Sequence, residues 1–398
     1  METVKQRIEK LARDGVFGKG RFVQVVNNSE DGKAAQFASV LFFLRVDLEE
    51  EGNLKRIPII VKVQAGEAEL ELMRTDLQFA NEVVAYNQVL PKLGVNELGI
   101  CPQMYYGLAN KGENPAEDLI VLEDLRPLGF KVADDVLLDF DHVMFSMKKL
   151  GQFHGRSYKM KNSSPGVLRE LGDQFSHVKL FDSKGLFEGF AYRGLKPLID
   201  SSPADSVVSK AYAKFSGATF DEFSQSLIKP DEPFAVIIHG DFNRNNLVYS
   251  YNERNQVVSM KFLDWATTKY SNPAVDLSFF LYMNTSADLR AAHWDEFLEA
   301  YWTGVTSVEP NPGFSYNEFL KHFGQRAIWG YFITAFFLPM MLFKETLTTP
   351  ELIKNMTPEE CWEWGLKKGG EKVTAVTSSV ARHLLDRGYL EEYVSNSK

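Results

Sequence analysis

Apolar residues near the start of the chain fall at helical spacing: Val4, Ile8 and Leu11 share one face, and Gly15 stops the pattern. The period then changes to that of strands. Phe22–Val26, Ser39–Leu48 and Ile57–Val63 are predicted as β-segments, with the polar run Glu49–Arg56 as a solvated hairpin loop. Helical spacing returns over Ala68–Leu90, where Leu77, Val84 and Leu90 face a core and Glu82 sits among them. Gln103–Leu108 and Asp118–Leu122 read as two further strands flanking a polar loop. After Leu125-Arg126-Pro127 the pattern becomes helical, most clearly over Asp139–Lys159, which aligns Val143, Met147, Leu150 and His154. The expected architecture is α+β in two lobes, residues 1–124 mostly antiparallel sheet and residues 125–398 mainly helical.

One later stretch, Phe234–Leu277, breaks the helical pattern. Ala235–Ile238 has the apolar run of a buried strand, a polar turn follows from His239 to Asn246, and Leu247–Tyr249 is a short strand. A hairpin then brings Val257–Leu263 back, so that Asp264 arrives beside the turn, with Asp276 shortly after. An Asp followed five residues later by Asn, as Asp241 and Asn246 are, can aim a carboxylate at a hydroxyl proton while the amide oxygen takes a metal ion. Asp264 would add a charged oxygen, and Mg²⁺ held by one or two side chains plus substrate phosphates needs no more. Taken alone, Asp241 and Asn246 are also what a capped turn uses; the extra carboxylate at a strand end favours the metal reading. Upstream, Lys62 lies inside the apolar strand Pro58–Val63, which is costly unless the lysine is paired or faces a cleft. Glu82 is its obvious partner, as in the strand-Lys to helix-Glu pair of kinases. The other reading is an edge-strand lysine reaching water.

Composition narrows the function. A formal net charge of −9, with no long basic run, argues against a nucleic-acid partner, since binding phosphate backbones needs a concentrated excess of Lys and Arg. Cys101 and Cys361 are the only cysteines, so no disulfide framework is expected and a reducing, cytoplasmic setting is the natural reading. The N-terminal METVKQRIEK lacks the apolar run of a secretory signal. Ala327–Phe343 is strongly apolar but short for a bilayer span and contains Pro339; a buried helix ending near that proline is expected, and no membrane span. Only Trp265–Val275 separates Asp264 from Asp276, too little for the platform on which a protein kinase seats a peptide. The acceptor is therefore expected to be a small molecule. Phe175, Phe181, Phe187, Phe190 and Tyr192, with Trp329–Phe343, read as core first and as the lining of an apolar-alcohol pocket second.

The chain resembles the insect ecdysteroid-kinase-like family, also described as choline/ethanolamine-kinase-like, whose wider relatives include aminoglycoside phosphotransferases. The likeness rests on Val61-Lys62, Glu82 in its helix, Val121–Leu125 with Gly129-Phe130, His154, HGDFNRNN, Phe262-Leu263-Asp264 and Asp276-Leu277. It implies a protein-kinase-like fold, ATP with Mg²⁺, and phosphorylation of a small-molecule alcohol such as an ecdysteroid. Asp241 then becomes the catalytic base, and Asn246 and Asp264 the Mg²⁺ ligands. Lys62 contacts phosphates and Glu82 positions it, while the backbone from Glu123 to Leu125 binds adenine. Ser39 offers a hydroxyl at the end of the phosphate-covering loop Gly32–Ser39. His239 and Asp276 are expected to support the loop, and His154 to be a satisfied core histidine. Three departures stand out: the covering loop has only one glycine, Asn243 occupies a position where relatives often place an aromatic residue, and Trp265 follows Asp264 where many kinases have Phe. A scaffold that has lost catalysis and binds a small molecule is the alternative that the glycine-poor loop would suit.

Overall fold

The computed structural model describes residues 2–28, 33–35, 39–64, 74–178 and 183–396. Helix α1 (Glu2–Arg13) leads into an antiparallel sheet made of β1 (Arg21–Asn27), β2 (Lys33–Ala35), β3 (Ser39–Glu50), β4 (Asn53–Gln64), β5 (Met104–Leu108) and β6 (Leu119–Glu123). The strands lie in the order β1-β3-β4-β6-β5, and β2 also pairs with β3. Gly32 and residues 36–38, which the sequence reading placed in a phosphate-covering loop, lie outside the described residues, whereas Lys33–Ala35 is strand.

The hairpin loop expected over Glu49–Arg56 is only two residues long. Glu51 (φ 52°) and Gly52 (φ 81°) both adopt left-handed backbone, the two-residue turn whose twist matches paired strands. β3 and β4 can therefore stay paired out to Glu50 and Asn53, although their outer halves are polar.

Period-two alternation sorts β4 between two environments. Ile57, Ile59 and Val61 join Val46, Leu44 and Val121 in a core covered by α1. Lys62 points to the opposite face, across from Ile120, where α2 (Thr75–Val84) packs. The first part of the expected helix, residues 68–73, lies outside the described residues. Beyond Val84 the helix widens through a π-turn, Ala85–Val89, into Leu90–Lys92. Leu77 and Val84 are only half-buried while Phe79, Ala80 and Leu90 are buried, because α2 is enclosed on more than the one face that apolar spacing picks out.

The rest of the chain is mainly helical. It comprises α3 (Phe140–Ser163), α4 (Pro165–Gly172), α5 (Leu186–Asp200), α6 (Val207–Ser216), α7 (Phe220–Ile228), α8 (Ala274–Asn284), α9 (Ala287–Val308), α10 (Tyr316–Gly324), α11 (Ile328–Leu342), α12 (Pro350–Asn355), α13 (Pro358–Lys367), α14 (Gly370–Asp386) and α15 (Tyr389–Ser395). Two small antiparallel ribbons interrupt it: β7 (Val236–Ile238) with β10 (Lys269–Ser271), and β8 (Leu247–Tyr251) with β9 (Val257–Phe262). An antiparallel sheet followed by a mainly helical part is the α+β arrangement of kinases.

Helix α11 is apolar around most of its circumference and buried, and it continues past Pro339 to Leu342 rather than ending at the proline. Its aromatics make core. Phe187 stacks on Phe336 (centroids 4.1 Å apart) and Phe332 (5.7 Å), and both Phe187 and Phe190 are fully buried. Tyr192 stacks on Trp362, and Phe175 packs half-buried against the same core; Phe181 lies outside the described residues. No helix among the described residues is long and apolar enough to cross a membrane.

Helices α3 and α9 meet through paired glycines. A Cβ on Gly151 would lie 2.1 Å from the Tyr301 carbonyl oxygen, and one on Gly304 equally close to that of Lys148. Only backbone-to-backbone approach fits such a contact. Gly151→Ala should therefore cost about 1–3 kcal/mol through overpacking, read as a lowered thermal midpoint; an unchanged midpoint would mean that the two helices can separate freely.

Candidate active site

Three segments converge on one ammonium group. β4 presents Lys62 on its inner face; Nζ lies 2.6 Å from Glu82 Oε2 of α2 and 2.8 Å from Asp264 Oδ1. The Lys62 and Glu82 side chains are 7% and 1% exposed, whereas Asp264 keeps 30% of its side chain open. Burial opposes the charged lysine, but Asp264 and Glu82 outweigh it and hold its pKa above the ordinary value. Burial likewise works against ionised Asp264, yet Lys62 prevails and keeps this carboxylate below its usual range. Glu82 is shifted up by its complete burial, with Lys62 opposing and Asp264 adding to the effect. One cation between two carboxylates leaves an excess of negative charge on the Asp264 side.

Asp264 reaches this position through strained backbone: φ 62° and ψ 70°, unusual for a residue with a Cβ. Its neighbours fix that geometry. Leu263 donates its N–H to the Asn246 carbonyl (2.8 Å), and Trp265, fully buried, packs against His239 (4.7 Å), Phe153 (5.1 Å) and Phe262 (5.9 Å).

The turn carrying Asp241 is held from below by Asp276. The Asp276 carboxylate accepts the backbone N–H of His239 (2.7 Å) and of Gly240 (2.8 Å). Gly240 is needed for two reasons: its φ is 86°, and a Cβ would come within 2.3 Å of the Thr267 carbonyl oxygen. His239 donates from Nε2 to the Leu263 carbonyl (2.9 Å) while Nδ1 accepts the Asp241 N–H (3.3 Å), which assigns the tautomer. Burial lowers its pKa, so the ring is a neutral brace between loop and hairpin. His154 is buried with both ring nitrogens engaged, at 3.0 Å from Tyr301 Oη and 3.3 Å from Asp276 Oδ2. It is thus the satisfied core histidine expected from its spacing.

Asp241 itself is half-buried. Asn243 Nδ2 donates to Oδ1 (2.7 Å) and Asn246 Nδ2 to Oδ2 (2.8 Å), so each carboxylate oxygen is oriented by one amide. Burial, with the nearby Asp264 charge, pushes its pKa up to about 7 against those two hydrogen bonds. Asn243 stands where relatives often place an aromatic residue, and the sequence assigns it no role. The structure makes it a second clamp on the carboxylate, a function that an Asn two residues from Asp can serve through short-range side-chain bonding. Arg244 turns away from the carboxylate: Nε donates to the Ala133 carbonyl (2.7 Å) and Nη2 to that of Asp134 (2.8 Å), while its N–H is held by Asn284 Oδ1 (3.1 Å). Nothing local in the sequence marks Asn284, a fully buried amide at a helix end.

The donor set suits a hard cation. Asn246 directs its NH₂ at Asp241, which leaves its carbonyl oxygen for a metal, and Asp264 contributes a partly open carboxylate. Among the described residues no group of three or more His, Cys, Asp or Glu could hold a metal alone; one carboxylate and one amide match Mg²⁺ that completes its shell with phosphate and water.

At the end of the sheet, Glu123 donates its N–H to the Gln103 carbonyl (2.8 Å), and Asp124 donates to that of Pro58 (3.1 Å). The Leu125 N–H has no hydrogen-bond partner among the described residues. Ser39 is buried at the start of β3, opposite Gln64.

A strand lysine tied to a helix carboxylate and to an Asp delivered by a hairpin, on an antiparallel sheet joined to a helical part, defines a kinase-like protein. The ecdysteroid kinase-like family matches residues 33–308, most of the chain, and the chain belongs to that family. Membership points to small-molecule phosphotransferase chemistry. None of the curated proteins compared with it matches.

Removing Lys62 strands a buried carboxylate. Lys62→Ala should destabilise the fold by about 3–5 kcal/mol, the usual cost of breaking a buried pair from one side. Adding Glu82→Gln should restore part of that loss, because the stranded group is then neutral; a double variant that melts no higher than Lys62→Ala would contradict this electrostatic account.

Proposed function

We propose that the protein transfers the γ-phosphoryl group of ATP, with Mg²⁺, to a hydroxyl of a small molecule, an ecdysteroid or similar alcohol. The observation that carries this reading is the pairing of two devices: Lys62 shared by Glu82 and Asp264, and Asp241 aimed by Asn243 and Asn246. Residues 1–124 form the nucleotide lobe and residues 125–398 the catalytic and acceptor lobe. The Glu123–Leu125 backbone takes the adenine, which the unclaimed Leu125 N–H supports, and Ser39 lies on the phosphate side. Lys62 neutralises phosphate charge, and Glu82 fixes the reach of its side chain. When bound, Mg²⁺ offsets the charge that gathers on the transferred oxygens. Asn246 and Asp264 would hold it.

Asp241 orients the acceptor hydroxyl. As the new P–O bond forms and the bond to the ADP oxygen breaks, the hydroxyl proton passes to the Asp241 carboxylate. The short Trp265–Val275 interval supports a small acceptor. A chain with only two cysteines, Cys101 and Cys361, suits a cytoplasmic setting.

The acceptor can be found by incubating the protein with a metabolite extract, ATP and Mg²⁺ and scanning by mass spectrometry for added phosphate. Asp241→Asn should keep the thermal shift produced by ATP and Mg²⁺ yet lose turnover by at least about 100-fold; turnover close to wild type would remove Asp241 from the reaction.

Proton acceptance requires Asp241 ionised, and its carboxyl in the ligand-free protein titrates at about 7. Below that pH the base is protonated, so kcat/KM should fall by about tenfold per pH unit on the acid side. Raising Mg²⁺ should move the limb to lower pH, since a bound cation favours the carboxylate. A flat profile between about pH 5 and 8 would exclude this base.

A further inference from the structure

Asn81 immediately precedes Glu82 on α2 and is 2% exposed. Its side chain forms a reciprocal pair with the backbone of a residue 95 positions away: Nδ2 donates to the Ser176 carbonyl (2.9 Å), and Oδ1 accepts the Ser176 N–H (2.7 Å). Both polar atoms of the amide are used, and they take the two groups that a neighbouring strand would take. The contact reads backbone, so it depends on the amide at 81 and not on the serine side chain at 176.

Ser176 is joined to the frame that carries the catalytic turn. It follows α4, whose terminal Gly172 packs so closely on Tyr270 of β10 that a Cβ there would lie 2.5 Å from the Tyr270 Cβ. β10 lies between Asp264 and Asp276 in the chain and pairs with β7, the strand that ends at Ile238, one residue before His239. A continuous mechanical connection therefore runs from Asn81 through Ser176 and Tyr270 to β7 and the Asp241 turn. Adjacent residues on a helix are separated by roughly 100°, so holding Asn81 sets the direction in which Glu82 leaves α2.

We infer that Asn81 is a positioning residue, which clasps the Ser176 backbone to hold α2 in the orientation that pairs Glu82 with Lys62. Its consequence for nucleotide binding rests on the proposed role of Lys62 and Glu82. On this basis the pair is pre-set by the chain that follows α4 instead of being assembled when nucleotide arrives, which removes an ordering cost from binding.

Four proteins test this: wild type, Asn81→Ala, Glu82→Gln and the double variant. The first readout needs no ligand. Hydrogen exchange of α2 amides should accelerate roughly tenfold to a hundredfold in Asn81→Ala, as loss of two buried hydrogen bonds implies. The second readout is the affinity for ATP with Mg²⁺, measured by calorimetry. Asn81→Ala should weaken binding about tenfold in the wild-type background but leave it unchanged when Glu82 is already Gln, because a residue that acts through another loses its effect once that residue is gone. Asn81→Asp, which retains the acceptor but not the donor, should follow Asn81→Ala and serves in its place should the alanine variant not fold. Unaltered exchange in α2, or equal weakening in both backgrounds, would overturn the inference. If the wild type binds no ATP, the kinase reading fails, while exchange still decides whether the clasp holds α2.

Discussion

A lysine buried between two carboxylates is the constraint on which the site depends. Desolvating an isolated ammonium group costs several kcal/mol, so Lys62 can remain charged only if Glu82 and Asp264 both reach it. Glu82 requires α2 to lie against the inner face of the sheet; Asp264 requires the β8–β9 hairpin to end beneath it. The ion triplet therefore couples three distant parts of the chain. Its excess negative charge also gives the open side of Asp264 the character of a cation site, which links the packing to the chemistry proposed for it.

Around the triplet, rigidity is obtained mostly from backbone groups. Asp276 holds the first two N–H groups of the turn that carries Asp241, Gly240 lets Thr267 come close, and His239 braces the turn against Leu263. These bonds are at least partly buried, two of them are accepted by a carboxylate, and they leave the half-buried Asp241 as the partly open edge of the turn. The same logic explains the clamp by Asn243 and Asn246. A carboxylate pushed toward neutral pH by burial and by Asp264 has a defined direction only if both oxygens are bonded.

The sequence made much of this legible. Antiparallel strands followed by helices, the strand lysine, Asp241 with Asn246, and Asp264 at a strand end could all be read from spacing, because strand alternation and short turns act over a few residues. Other features depended on partners far along the chain. The helical period makes Leu77 and Val84 core-facing, yet α2 is enclosed on several sides; the polar outer ends of β3 and β4 read as loop in the sequence, yet they stay paired beyond the core. The aromatic cluster around Phe187 offered both core and pocket readings, and only its stacking on Phe332 and Phe336 separates them.

Local chemistry thus determined which residues carry charge and which backbone each segment prefers. Tertiary structure decided which charges meet. Asn81, Asn284 and Asn243 show the difference: an amide has no preferred partner in sequence, and each of these gains its role from the N–H and C=O groups or carboxylate that folding places beside it. Lys62 was suspect from its strand alone, since a lysine among Ile and Val needs compensation. That its ammonium is shared with Asp264, 202 residues further on, follows only from the way the hairpin folds back under the sheet.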